Sequence, residues 1–545
     1  GRSLPRVDIP AKVGGGVAFV QDLRLPGMVH GRVVRPPSPG ARLSEVETEA
    51  VAKLPGVRKV VRDGSYLAVI AEREFEAVVA MRALAAAASW DERPSLPDQH
   101  DIYRLLQNWP ERASVILDTA APADPPARRF AARYRRPYQM HGAIGPSCAL
   151  ALFADGALTV WTHSQGVYPL RGALAELLSL PPDTVHCLQV EGSGCYGHNG
   201  ADDAAADAAL LAHAYPGRPV RAQWMREDEH LWEPYGPAMV AEAKAALDRQ
   251  GRIVAWEYDV WSNTHTTRPG RAGNLMPAWL LARPFAPPPP HPIPMPEGGG
   301  DRNAVPLYKF PNARVTSHFV PRMPLRVSAL RSLGAYMNIF SIESFIDELA
   351  KAAPADPVAF RLAHLDDPRA RAVVTRAARR FGWSRWRRRP DSGRGFAFAR
   401  YKNLGAYLAL ALAVEIDRAS GQVRVRRAVA AVDSGQAVNP DGIRNQIEGG
   451  IVQSLSWSLY EAVHFGHTRI ESRDWNSYPI LRFPEAPDSV EVEVIDRPGQ
   501  PFLGTGEAAQ GPTAAALANA VADATGARVR DLPLSPARVK AALGI

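Results

Sequence analysis

GSGCYGHNGADDAA, running from Gly192 to Ala205, is the stretch that decides how this chain is read. It follows an apolar β-type run, Val185 to Glu191, and leads into an alanine-rich helical run, Ala201 to Ala214, so strand, tight turn and helix start come in that order. Glycine at a turn lets the main chain adopt positive φ and approach a ligand closely, and the helix start beyond it favours an anion or an oxo group. The Gly-x-Gly-x-x-Gly spacing in that context also fits a dinucleotide site. Against a nicotinamide cofactor, the next strand, Pro219 to Trp224, reaches acidic residues only at Glu227 and Asp228, and no further βαβ pairs complete a doubly wound sheet. A plain tight turn is the bland alternative.

Working outward, the first 120 residues alternate β patterns (Val17 to Phe19, Met28 to Val34, Lys59 to Val61, Tyr66 to Ile70) with helical ones (Glu45 to Lys53, Phe75 to Trp90), which predicts a small α+β domain over 1–120. Pro122 to Pro126 reads as a linker. A second region, 128–352, carries strands such as Leu158 to Thr162, then a proline-rich run from Pro284 to Pro296 followed by Gly298 to Gly300. That run predicts a surface arm without helix or strand. Helix is expected again at Ser341 to Ala352 and at Ala370 to Phe381. The last region, 353–545, opens on a hairpin, Leu408 to Ile416 returning through Val423 to Arg426. It continues with a strand, Val490 to Ile495, and ends with GTGEAAQGPTAAA from Gly504 leading into a helix from Pro512 to Ala524, with Gly526 just past its end. The fold class expected is mixed α+β and α/β.

Composition removes several classes of function. With 545 residues, 46% apolar and 22% charged, the chain buries a full core. Its longest purely apolar stretch, Ala406 to Val414, is about half of the roughly 18 residues a membrane span needs. The formal charge of +8 is spread along the chain. Its one dense cluster, Arg385 and Arg387 to Arg389 around Trp383 and Trp386, reads as a solvated loop, and no nucleic-acid partner is expected. Three cysteines, Cys148, Cys187 and Cys195, make neither a disulfide framework nor an iron–sulfur ligand set. Redox chemistry here must hand its electrons to another chain.

Glu507 sits between Gly506 and Ala508 just ahead of a helix start, where a carboxylate serves either as a surface partner of the helix dipole or as a general base; spacing alone leaves both open. The amides from Gln446 to Gln453 lie at helical spacing and suit a heteroatom-rich ligand or a wet helix face equally. His141 and Cys148 read as core or turn residues, and no metal ligands are assigned.

Taken together, these segments resemble the molybdenum-binding subunits of the xanthine oxidase family of molybdenum hydroxylases, most closely the nicotinate dehydrogenase and isoquinoline 1-oxidoreductase type. The resemblance also runs through Arg6-Val7-Asp8-Ile9-Pro10-Ala11-Lys12, Asp22 to Met28, Glu343 to Glu348 and Val438-Asn439-Pro440. It implies a hammerhead-like α+β domain followed by two molybdenum-cofactor-binding regions. It further implies oxidation of an N-heteroaromatic carbon or an aldehyde with water as the oxygen source: a glutamate, matched by Glu507, takes a proton from molybdenum-bound hydroxide, and hydride passes to the metal sulfido group. On the same basis Gln165 matches the glutamine that hydrogen-bonds the metal oxo group. Gly194, Cys195, Tyr196 and Gly197 match the loop against the cofactor, Arg331 in Ala329-Leu330-Arg331-Ser332-Leu333-Gly334 matches the arginine of the family's AFRGFG stretch, and Gln453 matches a pterin-contacting glutamine. The resemblance also implies that the metal is held by the pterin dithiolene, so that no side chain here need ligate it.

Asn199 stands where purine-oxidising members carry glutamate, which disfavours a purine, and Tyr196 fills space left open elsewhere, which favours a small or flat substrate. The resemblance implies a molybdenum–molybdopterin cofactor in its cytosine dinucleotide form, a small iron–sulfur subunit and a cytoplasmic setting, with periplasmic or membrane-associated placement through partners also open. The family's GQG-type pterin-binding stretch is not found, so a separate chain is expected to supply that half of the site. Two other readings stand beside this one: a non-catalytic paralogue of the same fold, and a nicotinamide-dependent dehydrogenase using the Gly192 turn.

Overall fold

The alternating strands and helices resolve, in a computed structural model describing residues 1–545, into three large sheets and the helices that cover them. The first sheet has seven strands in the order Val185–Gln189, Ala157–Thr162, Cys148–Ala154, Val220–Gln223, Val29–Val34, Tyr66–Ala71 and Val57–Asp63. Val29–Val34 pairs parallel with Val220–Gln223, His30 facing Arg221, and antiparallel with Tyr66–Ala71. This sheet therefore joins strands from the first 120 residues to strands from 148–223. Helix Ala201–Ala214 packs on Cys148–Ala154 and Val220–Gln223. It is buried nearly all round, and its inward aspartates have partners: Asp207 meets Arg35, and Asp203 meets Arg326 at 2.6 Å.

Five strands make the second sheet, in the order Arg112–Thr119, Asn312–Phe319, Ile253–Ser262, Met239–Leu247 and Arg128–Arg136. The third runs Ser392–Arg400, Tyr407–Asp417, Gln422–Asp433 and Ser489–Val494. One continuous apolar core joins these two sheets through helix Gly334–Ala352. The expected hairpin forms with Gly421 at positive φ, but only the first half of its return strand alternates wet and dry; from Ala428 onward both faces are buried.

Local signals set the helix ends. Asp367 accepts hydrogen bonds from the Arg369 and Ala370 amides at the start of Pro368–Phe381, and Asn439 accepts from Gly442 at the start of Pro440–Leu459. The helix carrying the GPTAAA sequence spans Gln510–Thr525 and stops at Gly526 in the left-handed region. It lies unusually close to strand Ser392–Arg400: a Cβ on Gly393 would stand 2.1 Å from the Ala520 carbonyl oxygen, and one on Gly395 only 1.9 Å from that of Ala516. Three sequence expectations give way: the helix expected over Phe75 to Trp90 stops at Ala86, and Ser89 and Trp90 join strand Ala88–Asp91. Val17 to Phe19 forms no strand, and Glu45 to Lys53 is divided between strand Arg42–Val46 and the short helix Glu49–Ala52, because pairing with Ala88–Asp91 outweighs a weak helical period. The proline run takes neither helix nor strand, as expected.

Two buried acids lie outside the strands of these sheets, Glu229 on Ser147 and Glu461 just past helix Pro440–Leu459. Glu461 accepts from Ser456 Oγ and from Tyr478 OH, and burial pushes its carboxyl up to about 7. Glu229 is also raised, by burial and by neighbouring Glu233. The native state thus holds protons that the unfolded chain has released above its ordinary glutamate value. The contribution of Glu461 to stability is fullest below that value and falls as pH rises from there towards about 7, where native Glu461 also ionises. His30, His163, His230, His265, His364 and His464, which desolvation holds below the ordinary histidine value, act in the opposite sense. The contribution of Glu461 is therefore read as the difference in Tm between parent and variant from pH 5 to 7. Across that range the Tm of Glu461→Gln, which keeps the shape and removes the proton exchange, should gain on the parent's by ~1–2 °C; an identical slope in the two proteins would exclude this source.

Candidate active site

The Gly192 turn is held against a second strained turn. Its φ angles are positive at Gly194, Tyr196 and Gly197, and Gly197 bridges Leu330, with the Arg331 amide donating to the Tyr196 carbonyl at 2.7 Å and the His198 amide to that of Ala329 at 2.8 Å. A Cβ on Gly197 would stand 2.0 Å from the Ala329 oxygen, so only glycine permits this approach. On the facing segment Ser332 and Leu333 both take positive φ, an arrangement costing about 1–3 kcal/mol per residue that the surroundings must offset. The distortion aims three donors, the Arg331 guanidinium, the Ser332 amide and the Ser332 hydroxyl, at the Gly506–Glu507 loop.

Arg331 Nε donates to the Gly506 carbonyl at 2.7 Å, Nη1 to Gln453 Oε1 at 3.1 Å, and Nη2 to Gln446 Oε1 at 3.0 Å and to the Gly506 carbonyl. Burial pulls its guanidinium below the ordinary arginine value, with Glu507 acting in the opposite sense. The Ser332 amide donates to Glu507 Oε1 at 2.9 Å, its hydroxyl to the Glu507 carbonyl at 2.6 Å, and Tyr401 OH to Glu507 Oε2 at 2.7 Å. Arg302 Nη1 donates to the same phenol oxygen at 2.6 Å and lies 4.0 Å from Glu507 Oε2. Burial holds the Tyr401 phenol far above its ordinary value, and the Glu507 carboxylate adds to this, so Tyr401 is a fixed donor. Each carboxylate oxygen takes one donor and keeps accepting capacity towards the open side, where the side chain is 36% exposed. Gln510, oriented with its NH2 towards the Glu507 carbonyl, accepts from Arg331 Nε at 2.9 Å and closes the loop from behind.

Across from this carboxylate stands Gln165. Ser164 Oγ donates to buried Asp202 at 2.5 Å and accepts from the Gly166 amide at 3.0 Å, which fixes the backbone, and Gln165 Nε2 donates to Cys195 Sγ at 2.9 Å. Gln165, Gly194, Cys195, Tyr196, Gly197, Arg331 and Glu507, distributed over more than 300 residues of sequence, all line one cavity of about 1000 Å³. Gln453 is not in its wall and reaches it through Arg331. Asn199 is buried, its Oδ1 accepting from the Ala201 amide, and it too is absent from the wall. Sequence reasoning missed Tyr401, Ser332 and Arg302. The glycine triplet before Arg302 was the one local signal available; Tyr401 follows a strand end with nothing to mark it.

This set can orient a heteroatom-rich ligand with amides and a guanidinium, and it presents a carboxylate able to accept a proton. Residues 118–279 and 346–487 each match the family model described as Molybdopterin cofactor-binding domain. A nicotinate dehydrogenase chain of Pseudomonas putida is 40% identical, over 100% of this chain and 47% of that protein. The beta chain of isoquinoline 1-oxidoreductase of Brevundimonas diminuta is 30% identical, over 98% of this chain and 68% of that protein. The chain thus spans about half the length of the first relative and two thirds of the second. The crystal structure of quinoline 2-oxidoreductase from Pseudomonas putida 86 superposes with a TM-score of 0.81 at 15% identity, covering 100% of this chain and 98% of that one, a likeness of fold.

Because one guanidinium ties three segments, Arg331→Ala should raise amide hydrogen exchange at 504–509 and 446–453 by about tenfold or more, leaving strands Tyr407–Asp417 and Gln422–Asp433 protected. Unaltered exchange in the Gly506 loop would show that the guanidinium does not hold it.

Proposed function

The chain belongs to the molybdopterin-binding subunits of the xanthine oxidase family of molybdenum hydroxylases, and on that premise we propose that it hydroxylates an N-heteroaromatic ring carbon, with water as the oxygen source and Glu507 as general base. Overall an aromatic C–H becomes C–OH, and two electrons and two protons leave. The observation carrying this reading is the convergence of Glu507, Gln165, Arg331 and the Gly192 turn on one cavity. Relatives that bear the names nicotinate dehydrogenase and isoquinoline 1-oxidoreductase support the substrate class.

The residues present fit a pterin-borne metal. The donors are amides, a guanidinium and bare glycine backbone rather than a cluster of thiolates and imidazoles, which suits a cofactor that brings its own sulfur ligands. Gln165 and the turn at Gly194 to Gly197 would face its metal end, and Arg331 with Gln446 its ring system, extended by cytosine dinucleotide as the resemblance implies, with Gln453 acting through Arg331. When bound, the cofactor supplies an oxygen derived from water and takes up the electron pair. Glu507 would take up the proton lost from water in the reaction; Ser332 and Tyr401 keep its oxygens oriented, one donor on each. Tyr196, its ring against Gly194, narrows the opening towards a flat ring.

Three cysteines cannot hold an iron–sulfur cluster, so the electrons pass to a small iron–sulfur subunit. The remainder of the pterin's surroundings comes from protein outside these 545 residues.

Metal and pterin analysis of the native assembly should find molybdenum and molybdopterin, and turnover in ¹⁸O-water should place the label in the product. Glu507→Gln should lower kcat about 10²- to 10⁴-fold while molybdenum content stays at the parent level. Full activity in that variant, or a product whose oxygen comes from dioxygen, would overturn the proposal.

A further inference from the structure

A second chamber, of about 510 Å³, adjoins the reaction cavity, and the two share Thr266 and Arg268. Its walls include the proline run Pro287 to Pro290, which has no N–H groups to donate, together with Trp232 and Trp279. These are stiff, apolar surfaces suited to a planar ring.

The charged side chains around both spaces are already engaged, with one exception. Lys402 pairs with Glu297, Glu191 with Lys12 at 2.5 Å and Arg326 with Asp203 at 2.6 Å. Arg302 and Arg331 are spent on the Glu507 network, and buried Glu233 accepts the His141 and Gly142 amides. Arg268 is the only charged side chain lining both spaces, and it is exposed. Its guanidinium makes neither a hydrogen bond nor an ion pair, since the carboxylate within its electrostatic reach, buried Asp202, is already held by His198 and Ser164. Its backbone is nevertheless pinned: Asn274 Nδ2 donates to the Arg268 carbonyl at 2.7 Å, Thr267 Oγ1 donates to the Val327 carbonyl at 2.9 Å, and Pro269 follows. Arg268 Nη1 lies 3.9 Å from where a Cβ on Gly166 would stand, so the free end sits beside the residue after Gln165.

A lone cation on a fixed backbone, where an apolar chamber opens into a reaction cavity, attracts an anion, and the guanidinium fork matches a carboxylate through two parallel hydrogen bonds. We infer that Arg268 recognises a carboxylate on the ring being oxidised, so that this chain selects carboxylated N-heteroaromatics over neutral ones. The inference rests on the hydroxylase reading above for the identity of the ring; the anion site itself rests on geometry.

The test uses the native holoenzyme and its Arg268→Leu and Arg268→Lys variants, with two readouts. Calorimetric binding of benzoate and of benzamide, neither carrying a ring nitrogen, reports the site without turnover. The ratio of kcat/KM for nicotinate to that for isoquinoline reports selection during turnover. Arg268→Leu should lower the benzoate/benzamide affinity ratio and the nicotinate/isoquinoline ratio by ~10- to 100-fold, the range expected for a lost charge-assisted pair, with Arg268→Lys recovering part. Ratios that do not move in Arg268→Leu, or a parallel loss of molybdenum and pterin that would assign Arg268 to the cofactor, overturn the inference. A parent enzyme that binds benzoate through Arg268 yet oxidises no N-heteroaromatic removes the hydroxylase reading and leaves the anion site. One that oxidises isoquinoline without any carboxylate preference does the reverse.

Discussion

A single guanidinium, that of Arg331, holds the candidate site in register. It sits on a turn whose next two residues are in the left-handed region, and it donates to the Gly506 carbonyl, to Gln446 and to Gln453. Those acceptors belong to the loop before helix Gln510–Thr525 and to helix Pro440–Leu459. A lysine could meet only part of this set, because the acceptors fan out in the plane that a guanidinium fork spans. The strain at Ser332 and Leu333 has its structural return here: the distortion that turns Arg331 inward also turns the Ser332 amide onto the Glu507 carboxylate.

Tyr401 divides the charge on the other side. Its hydroxyl accepts from Arg302 and donates to Glu507, so a neutral group stands between cation and carboxylate where a direct ion pair would have occupied the accepting oxygen. Arg302 reaches Glu507 Oε2 only at 4.0 Å. The carboxylate is thus oriented without being consumed, the condition a proton acceptor requires.

Much of this was legible in the sequence, for physical reasons that differ by element. The Gly192 turn announced itself because glycine, strand and helix signals coincide within 25 residues, and the structure places it where Gly197 meets Ala329. The resemblance carried Gln165, Arg331 and Glu507, and all three line one cavity. Asn199 was matched to a substrate-reading position, yet its side chain turns to the helix start. Tyr401 and Arg302 were invisible because their roles arise from contacts about 100 residues apart, with no local period or spacing to record them. The proline run was correctly read as irregular, but its place as a chamber wall depends on Thr266 and Arg268 meeting it from a distant strand end.

The seven-stranded sheet bears on how the polypeptide is made. Strand Val29–Val34 lies between Tyr66–Ala71, available almost at once, and Val220–Gln223, which follows roughly 190 residues later. At ribosomal speeds of about 5–20 residues per second, one unpaired backbone edge of that early strand waits ~10–40 s for its neighbour. Nascent chains in that interval carry an open β edge, a natural client for a holding chaperone and the point at which slowed translation or overexpression would first produce aggregates.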